Sequence, residues 1–368
     1  MWTLGAVCIF FAMTKPDVAA PAPELLAVSF ASPQNGWVAG NGVIFSTNDG
    51  GKHWSRQYSG RARLSALDFV DSRNGWAAGM DPISGTGVLL GTSDGGAHWT
   101  KLTDTPHPLR SLSFADPQDG IGISGGSLAR LAIGEWGETP FIGGKIAITH
   151  DGGHSWTLLD TPQSADTTCY GDALHAWTGN QASVQRTVDG GKTWHHVLAA
   201  QVDPYRTWAA RVSCSGPDAA WVAFETTDPI VAQSGRPFVL YRTTDGGATW
   251  QPVLENAGAA AAYRLVSAPA ASLMALGPFG VAGQNDALLL GFRPTDIVQG
   301  SGVSAQTTAD GGTAWQALNA IGGLSVMGAI AISVVDPQHV WVAGSSAHGS
   351  HLYATADGGH SWTEQFPR

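Results

Sequence analysis

Seven aspartates share one repeated setting. Asp49, Asp94, Asp151, Asp189, Asp245, Asp310 and Asp357 each take the third place of T-x-D-G-G-x-x-W, and no fixed position of the phrase varies. A carboxylate ahead of two glycines could ligate a cation or act as an acid. Sevenfold repetition favours a structural job instead, because the same task recurs around the molecule. The two glycines supply positive φ angles that residues with side chains resist. The aspartate accepts hydrogen bonds from N–H groups of its own turn. The threonine ends an incoming strand, and the tryptophan opens the outgoing one with a large apolar surface to bury.

Other residues could do different chemistry. Arg63, Arg110, Arg211 and Arg264 recur near the starts of repeats on an acidic chain, with Arg206 just ahead of Arg211. Guanidinium groups so placed would suit carboxylates, either acidic side chains of a partner or an acidic carbohydrate. Their alternation is imperfect: Arg211 falls one residue out of phase with Arg110 and Arg264. Of the 15 tryptophans, seven end the repeated phrase, five hold one place in a second strand and Trp2 lies in the leader. That leaves Trp136 and Trp208, each either an exposed platform for a ligand or a pin for its own long loop. Glu135, Glu138, Asp203, Asp228, Asp286 and Asp296 lie in long connections, where two carboxyl groups could flank a glycosidic bond. The 12 histidines show no metal-ligand spacing. No phosphate loop, nucleophile elbow or paired-cysteine zinc pattern is present, and the sequence calls for no cofactor or metal.

The elements that must position these residues follow from the repeat. Successive aspartates are 45, 57, 38, 56, 65 and 47 residues apart, a period that points to stacked units unable to close a core singly. Residues 25–30, 36–40, 42–47 and 54–58 read as four strands, and residues 64–70, 75–79, 87–92 and 99–103 copy them. The first turn recurs as SPQNGWVAG, DSRNGWAAG, DPQDGIGIS and DPQHVWVAG. The expectation is therefore an all-β chain whose residues 25–368 form a seven-bladed β-propeller of four-stranded antiparallel blades. Closure is expected by face packing between the last blade and the first. Extra residues at 125–144, 228–236 and about 278–301 are assigned to connections between second and third strands. Those connections share a face with the inter-blade links, opposite the repeated turns, and binding residues tend to collect on such a face.

Composition narrows the function classes. The net charge of −10 argues against a general nucleic-acid binder. Charged residues make up only 13% and glycine numbers 48, which suits many short strands and tight turns. Residues 1–24 differ from the rest: an apolar run at 2–13 precedes small residues at 18–22. This reads as a signal peptide, or as a short uncleaved anchor, the sole route to a membrane. Cys169 and Cys214 fall in the corresponding strand of successive repeats and are open to a disulfide or to two buried thiols.

The repeated phrase resembles the Asp-box, or bacterial neuraminidase repeat, which in that family joins the third and fourth strands of a propeller blade. With the NGWVAG and NGWAAG strands at residues 35–40 and 74–79, the chain is similar to photosystem II assembly factor-like propellers. That resemblance implies an exported, seven-bladed protein that helps assemble membrane complexes through an arginine-bearing face. The sialidase signature is matched only by Gly235-Arg236-Pro237-Phe238, which departs from it in spacing and place. The expected function is thus a non-catalytic, exported, monomeric binding or assembly module that engages a protein partner. The alternative is a glycoside hydrolase, sialidase-like or xyloglucanase-like, using the same face.

Overall fold

The computed structural model describes residues 23–105, 108–125, 127–128, 141–142, 144–159, 165–227, 235–256, 267–293, 296, 302–325, 329–346 and 348–366. The first sheet holds β1 (Leu25–Phe30), β2 (Gly36–Thr47), β3 (Ser55–Phe69), β4 (Gly75–Met80), β5 (Gly87–Thr92) and β6 (Thr100–Thr105). The second holds β7 (Leu109–Phe114), β8 (Gly120–Ser124), β11 (Lys145–Thr149) and β12 (Thr157–Leu158). A two-stranded ribbon, β9 (Ser127–Leu128) with β10 (Phe141–Ile142), extends from it. The third has β13 (Thr167–Tyr170), β14 (Ala176–Asn180), β15 (Ser183–Thr187) and β16 (His195–Ala199). The fourth has β17 (Trp208–Cys214), β18 (Ala220–Thr226), β19 (Phe238–Thr243) and β20 (Gln251–Asn256). The fifth has β21 (Ala275–Ala282), β22 (Asp286–Phe292), β23 (Ser304–Thr308) and β24 (Gln316–Ala317). The sixth has β25 (Ala329–Val334), β26 (Val340–Ser346), β27 (Gly349–Thr355) and β28 (Thr363–Phe366).

All pairings within these sheets are antiparallel, and the architecture is a propeller. The count corrects the expectation of seven separate blades: the described residues form six such sheets. The first carries two Asp-box turns because β3 runs unbroken, pairing with β2 through Ser55–Ser59 and with β4 through Arg63–Phe69. No insertion separates those two stretches, so the extended backbone persists between them. Likewise β2 is one element where two strands were expected. It changes partner from β1 to β3 around Gly42, whose φ of 70° needs no side chain.

The Asp-box geometry is the same in every copy. The Thr47 hydroxyl donates to Asp49 Oδ1 at 2.8 Å and accepts from Gly51 N at 2.9 Å, while His53 N donates to the same Oδ1 at 3.0 Å. The last box repeats it at 2.7, 2.9 and 2.9 Å through Thr355, Gly359 and Ser361. Both glycines have positive φ, 75° and 92° in the first box. The first glycine of each box also donates its N–H to the turn between first and second strands, as Gly50 does to Gln34 O and Gly246 to Asp218 O, both at 2.9 Å. These two sets of turns therefore share one face.

Repeat units, the two within the first sheet included, meet through a repeated aromatic joint. The Trp37 ring stacks on Phe69 with centroids 3.6 Å apart, and Phe69 meets Trp99 edge-on at 5.8 Å. Trp76, Phe114 and Trp156 repeat the trio. Trp341, Phe30 and Trp54 use it to close the ring. The indole N–H groups of Trp37 and Trp76 donate to Gly95 O and Gly152 O of the next Asp-box, at 2.9 and 2.8 Å. Each first strand also touches the next, from β1 through β3, β7, β13, β17, β21 and β25 back to β1. Closure is by face packing, as the sequence implied. β28 stays in its own sheet, and Leu25, Val28 and Phe30 pack against Trp341, Leu352 and Phe366.

A second joint element is the penultimate residue of several first strands. Ser29 Oγ accepts from Phe69 N at 3.1 Å, Ser113 Oγ from Tyr170 N at 3.0 Å and Ser333 Oγ from Phe30 N at 2.9 Å. Asp68 takes that place between β3 and β7, accepting from Phe114 N at 2.6 Å. Asp68 keeps some surface exposed, yet the strands enclose its carboxyl group so closely that lost hydration pushes its pKa up to about 6. The box carboxylates go the other way. Hydroxyl donors Thr193, Thr249 and Ser361 hold Asp189, Asp245 and Asp357 at about 2.

These opposite shifts give a signed prediction. A raised folded-state pKa contributes stability that is present in acid and lost as pH climbs, here between about 4 and about 6 for Asp68. Depressed box carboxylates contribute stability that is present above about pH 4 and lost as pH falls through about 2. Urea midpoints should therefore rise as pH drops from 7 to 5 and collapse below 4. Asp68→Ser, which installs the residue used at the neighbouring joints, should abolish the rise and keep the collapse. An unchanged rise in that variant would show that Asp68 is not its source.

Candidate binding face

The face opposite the Asp-box turns collects the connections between second and third strands and the links between repeats. Asn41 N donates to Glu24 O at 3.1 Å and Thr227 N to Thr207 O at 2.8 Å, tying such a connection to such a link in each case. Of the three extra stretches, 125–144 and 228–236 do fall between second and third strands. The third is corrected. In the fifth sheet that connection runs over 293–303, and further length lies in the link 257–274 before β21. No tryptophan marks the second strand there, and the box alone does not fix where the first strand begins. Asp286 is corrected with it: it opens β22 beside Asn285 O, which accepts from Gly311 N at 2.9 Å, so it belongs to the Asp-box face.

The arginines do not form a free ring. Arg63 is half exposed and donates to Glu24 Oε2 at 2.9 Å and Asn41 Oδ1 at 3.3 Å. Arg110 is the second residue of β7, and partial burial lowers its pKa. Arg211 Nη1 crosses between sheets to Leu276 O at 3.2 Å and Gly277 O at 3.3 Å, and also reaches Glu225 Oε2 at 3.4 Å. Arg264 and Trp136, with Glu135, Glu138 and Asp228, lie outside the described residues. Trp208 is only 3% exposed and donates its indole N–H to Asp203 O at 2.9 Å. It pins its own link and is no exposed platform.

The exposed aromatic of that link is Tyr205, at 96%. It stands between Asp203, which accepts from its N–H at 2.9 Å, and Arg206, whose Nε lies 3.3 Å from the Asp203 carboxylate. Ile83, also on this face, is 80% exposed. Sequence reasoning passed over both, although the Pro204-Tyr205-Arg206 run in a link was a usable signal.

A buried ionic cluster was missed as well. Glu225, 5% exposed near the end of β18, accepts from Leu276 N at 2.8 Å and sits 3.6 Å from Arg236 Nη1, itself 3% exposed. With Arg211 it holds two guanidinium groups around one carboxylate between the fourth and fifth sheets. The signal was one acid in the otherwise apolar AWVAFET strand. Described carboxylates of this face have structural partners: Asp296 accepts from Ser304 Oγ at 2.6 Å and Arg293 N at 2.7 Å, and Asp166 from Gln181 N at 2.8 Å. Among the described residues, no three His, Cys, Asp or Glu side chains form a set able to hold a metal ion.

Comparison with known proteins adds to this geometry. Residues 16–115 match the family model for photosynthesis system II assembly factor YCF48. The solved structure of YCF48 bound to D1 peptide is 16% identical, with a TM-score of 0.57, covering 91% of this chain and 94% of that one. YCF48 from Cyanidioschyzon merolae is 15% identical with a TM-score of 0.58, covering 92% and 97%. The GH74 xyloglucanase from Xanthomonas campestris is 13% identical with a TM-score of 0.61, and 94% of this chain spans 54% of that enzyme. At these identities the likeness shows the fold alone. No curated protein matches the chain in sequence.

The buried cluster yields the second prediction. Removing Glu225 strands Arg236 without its carboxylate, and breaking a buried pair costs about 3–5 kcal/mol. Glu225→Ala should therefore lower the thermal midpoint by many degrees, whereas Arg63→Ala, at an exposed pair worth about 0–1 kcal/mol, should barely move it. Equal midpoints for the two variants in calorimetry would refute the ranking.

Proposed function

We propose that this chain is an exported, monomeric binding or assembly propeller without chemistry of its own, and that it holds a protein partner on the face opposite the Asp-box turns. In this reading the six-stranded sheet serves as two of seven repeat units, since it carries two boxes. The observation that carries the reading is the disposition of that face. Its described carboxylates are spent on neighbouring donors, while Tyr205 and Ile83 stand exposed beside the long connections. Acid/base hydrolysis of a glycoside needs two carboxyl groups at liberty; capture of an extended peptide needs apolar anchors and a polar rim. Support also comes from the match at residues 16–115 and from the likeness to a YCF48 that was solved with a D1 peptide. The apolar run at residues 2–13 supports export, as does the bond between Cys169 and Cys214, since disulfides persist in oxidising compartments. In this reading Arg63 and Arg110, both on this face, meet acidic side chains of the partner.

The test is fluorescence anisotropy with a labelled D1 peptide, run beside hydrolysis of a fluorogenic sialoside and xyloglucan oligosaccharides. Binding of the peptide is expected, weakened tenfold or more, about 1.4 kcal/mol, by Tyr205→Ala or Arg110→Ala. Leu174→Ala, on the Asp-box face and 55% exposed, should leave it unchanged. Glycoside turnover without peptide binding would replace this reading with the hydrolase.

A further inference from the structure

The joint between the third and fourth sheets departs from its neighbours at both of its defining positions. Cys169 pairs with Trp177, the register held by Ser29 opposite Trp37, Asp68 opposite Trp76 and Ser333 opposite Trp341. Cys214 pairs with Ala220, the register held by Phe69 opposite Gly75 and Tyr170 opposite Ala176. At four other joints the first position supplies an oxygen to the next strand's amide, and at three the second supplies the ring that stacks on the preceding tryptophan. Here a disulfide links the two residues, with Cα atoms 6.1 Å apart. A covalent bond thus stands where a hydrogen bond and an aromatic stack are found at other joints.

What remains at this joint without the bond is unevenly distributed. Toward the binding face, Thr167 Oγ1 accepts from Val212 N at 2.9 Å and Asp166 Oδ2 from Ala210 N at 3.2 Å. Toward the Asp-box face, Trp177 meets Trp250 edge-on at 5.8 Å and lies under Arg186, which donates to Gly246 O at 2.9 Å. Trp177 and Ala220 are fully buried, but both cysteines keep partial solvent exposure on the first strands. Accessible disulfides are the ones that exchange.

We propose that Cys169–Cys214 is a thiol–disulfide exchange site, opened in the folded protein by a dithiol reductant, and that opening it loosens this one joint at its Asp-box end. The step balances as follows. A thiolate of the dithiol attacks one protein sulfur and releases the other as a thiolate. The second thiol of the reductant then displaces the first protein sulfur. Two electrons pass to the protein, both cysteines end protonated, and the reductant leaves as its own disulfide. Loosening follows because neither thiol replaces a serine oxygen or an aromatic ring.

The experiment uses dithiothreitol as the probe on the full native chain. Alkylation with mass spectrometry should count two new thiols without denaturant. Hydrogen exchange should then quicken tenfold or more at the C-terminal ends of β13 and β17, with the Trp37–Phe69 and Trp341–Phe30 joints unchanged. Cys169→Ser/Cys214→Phe, which installs the serine and aromatic found at the other joints, should exchange slowly there with or without the reductant. Thiols that appear only in urea would overturn the proposal. So would full reduction with unaltered exchange at β13 and β17, a result that needs no variant to fold.

Discussion

The joint between neighbouring repeat units is the interaction on which the rest of this molecule depends. A four-stranded sheet has two faces to bury and cannot bury either alone. Stacking of a second-strand tryptophan on the next phenylalanine, 3.6 Å away in three joints, supplies area and fixes rotation together. The hydrogen bond that an amide of the next first strand donates to Ser29, Asp68, Ser113 or Ser333 fixes translation. The Asp-box is subordinate to this. Its carboxylate holds the turn shut so that its first-glycine carbonyl can receive a donor from the preceding repeat unit: Trp37, Trp76, Arg186 or Gln365. Where the middle ring is absent, an arginine lies over the tryptophan instead, as Arg186 does over Trp177 and Arg242 over Trp221.

What could be read from the sequence was what obeys local rules. The threonine, aspartate and two glycines of each box act within eight residues, so spacing alone disclosed the turn, its positive φ angles and the strands on either side. Face-packed closure was legible because the chain begins and ends its repeats in phase. The misses share one cause. Glu225 looks like an ordinary acid near the end of a buried strand until Arg211 and Arg236 arrive from 14 and 11 residues away in different elements. Trp208 and Tyr205 are three residues apart, and only the packing of their link decides which ring is buried. The fusion at β3 was invisible because strand breaks were inferred from repeat phase, while backbone extension ignores phase.

The two faces have diverged in kind. The Asp-box face is made of near-identical turns whose donors and acceptors are consumed by one another. The opposite face carries the long connections, the buried Arg211–Glu225–Arg236 cluster and the exposed Tyr205 and Ile83. A scaffold that fixes one rim by repetition is free to vary the other, which is the usual partition between structure and recognition in repeat architectures.

Ring closure has a consequence for how the chain acquires this shape. Phe30 N bonds Ser333 Oγ across 303 positions, and Gln365 bridges Trp341 to Gly50 O across 315. The entropic penalty of joining such distant partners grows only logarithmically with chain length, but their encounter is slow, because contacts of high sequence separation wait on everything between them. The apolar side of β1, with Leu25, Val28 and Phe30, therefore stays uncovered until the last sheet is built. During biosynthesis that interval is the period of greatest exposure to aggregation, and it ends when Phe366 and Trp341 settle on the first sheet.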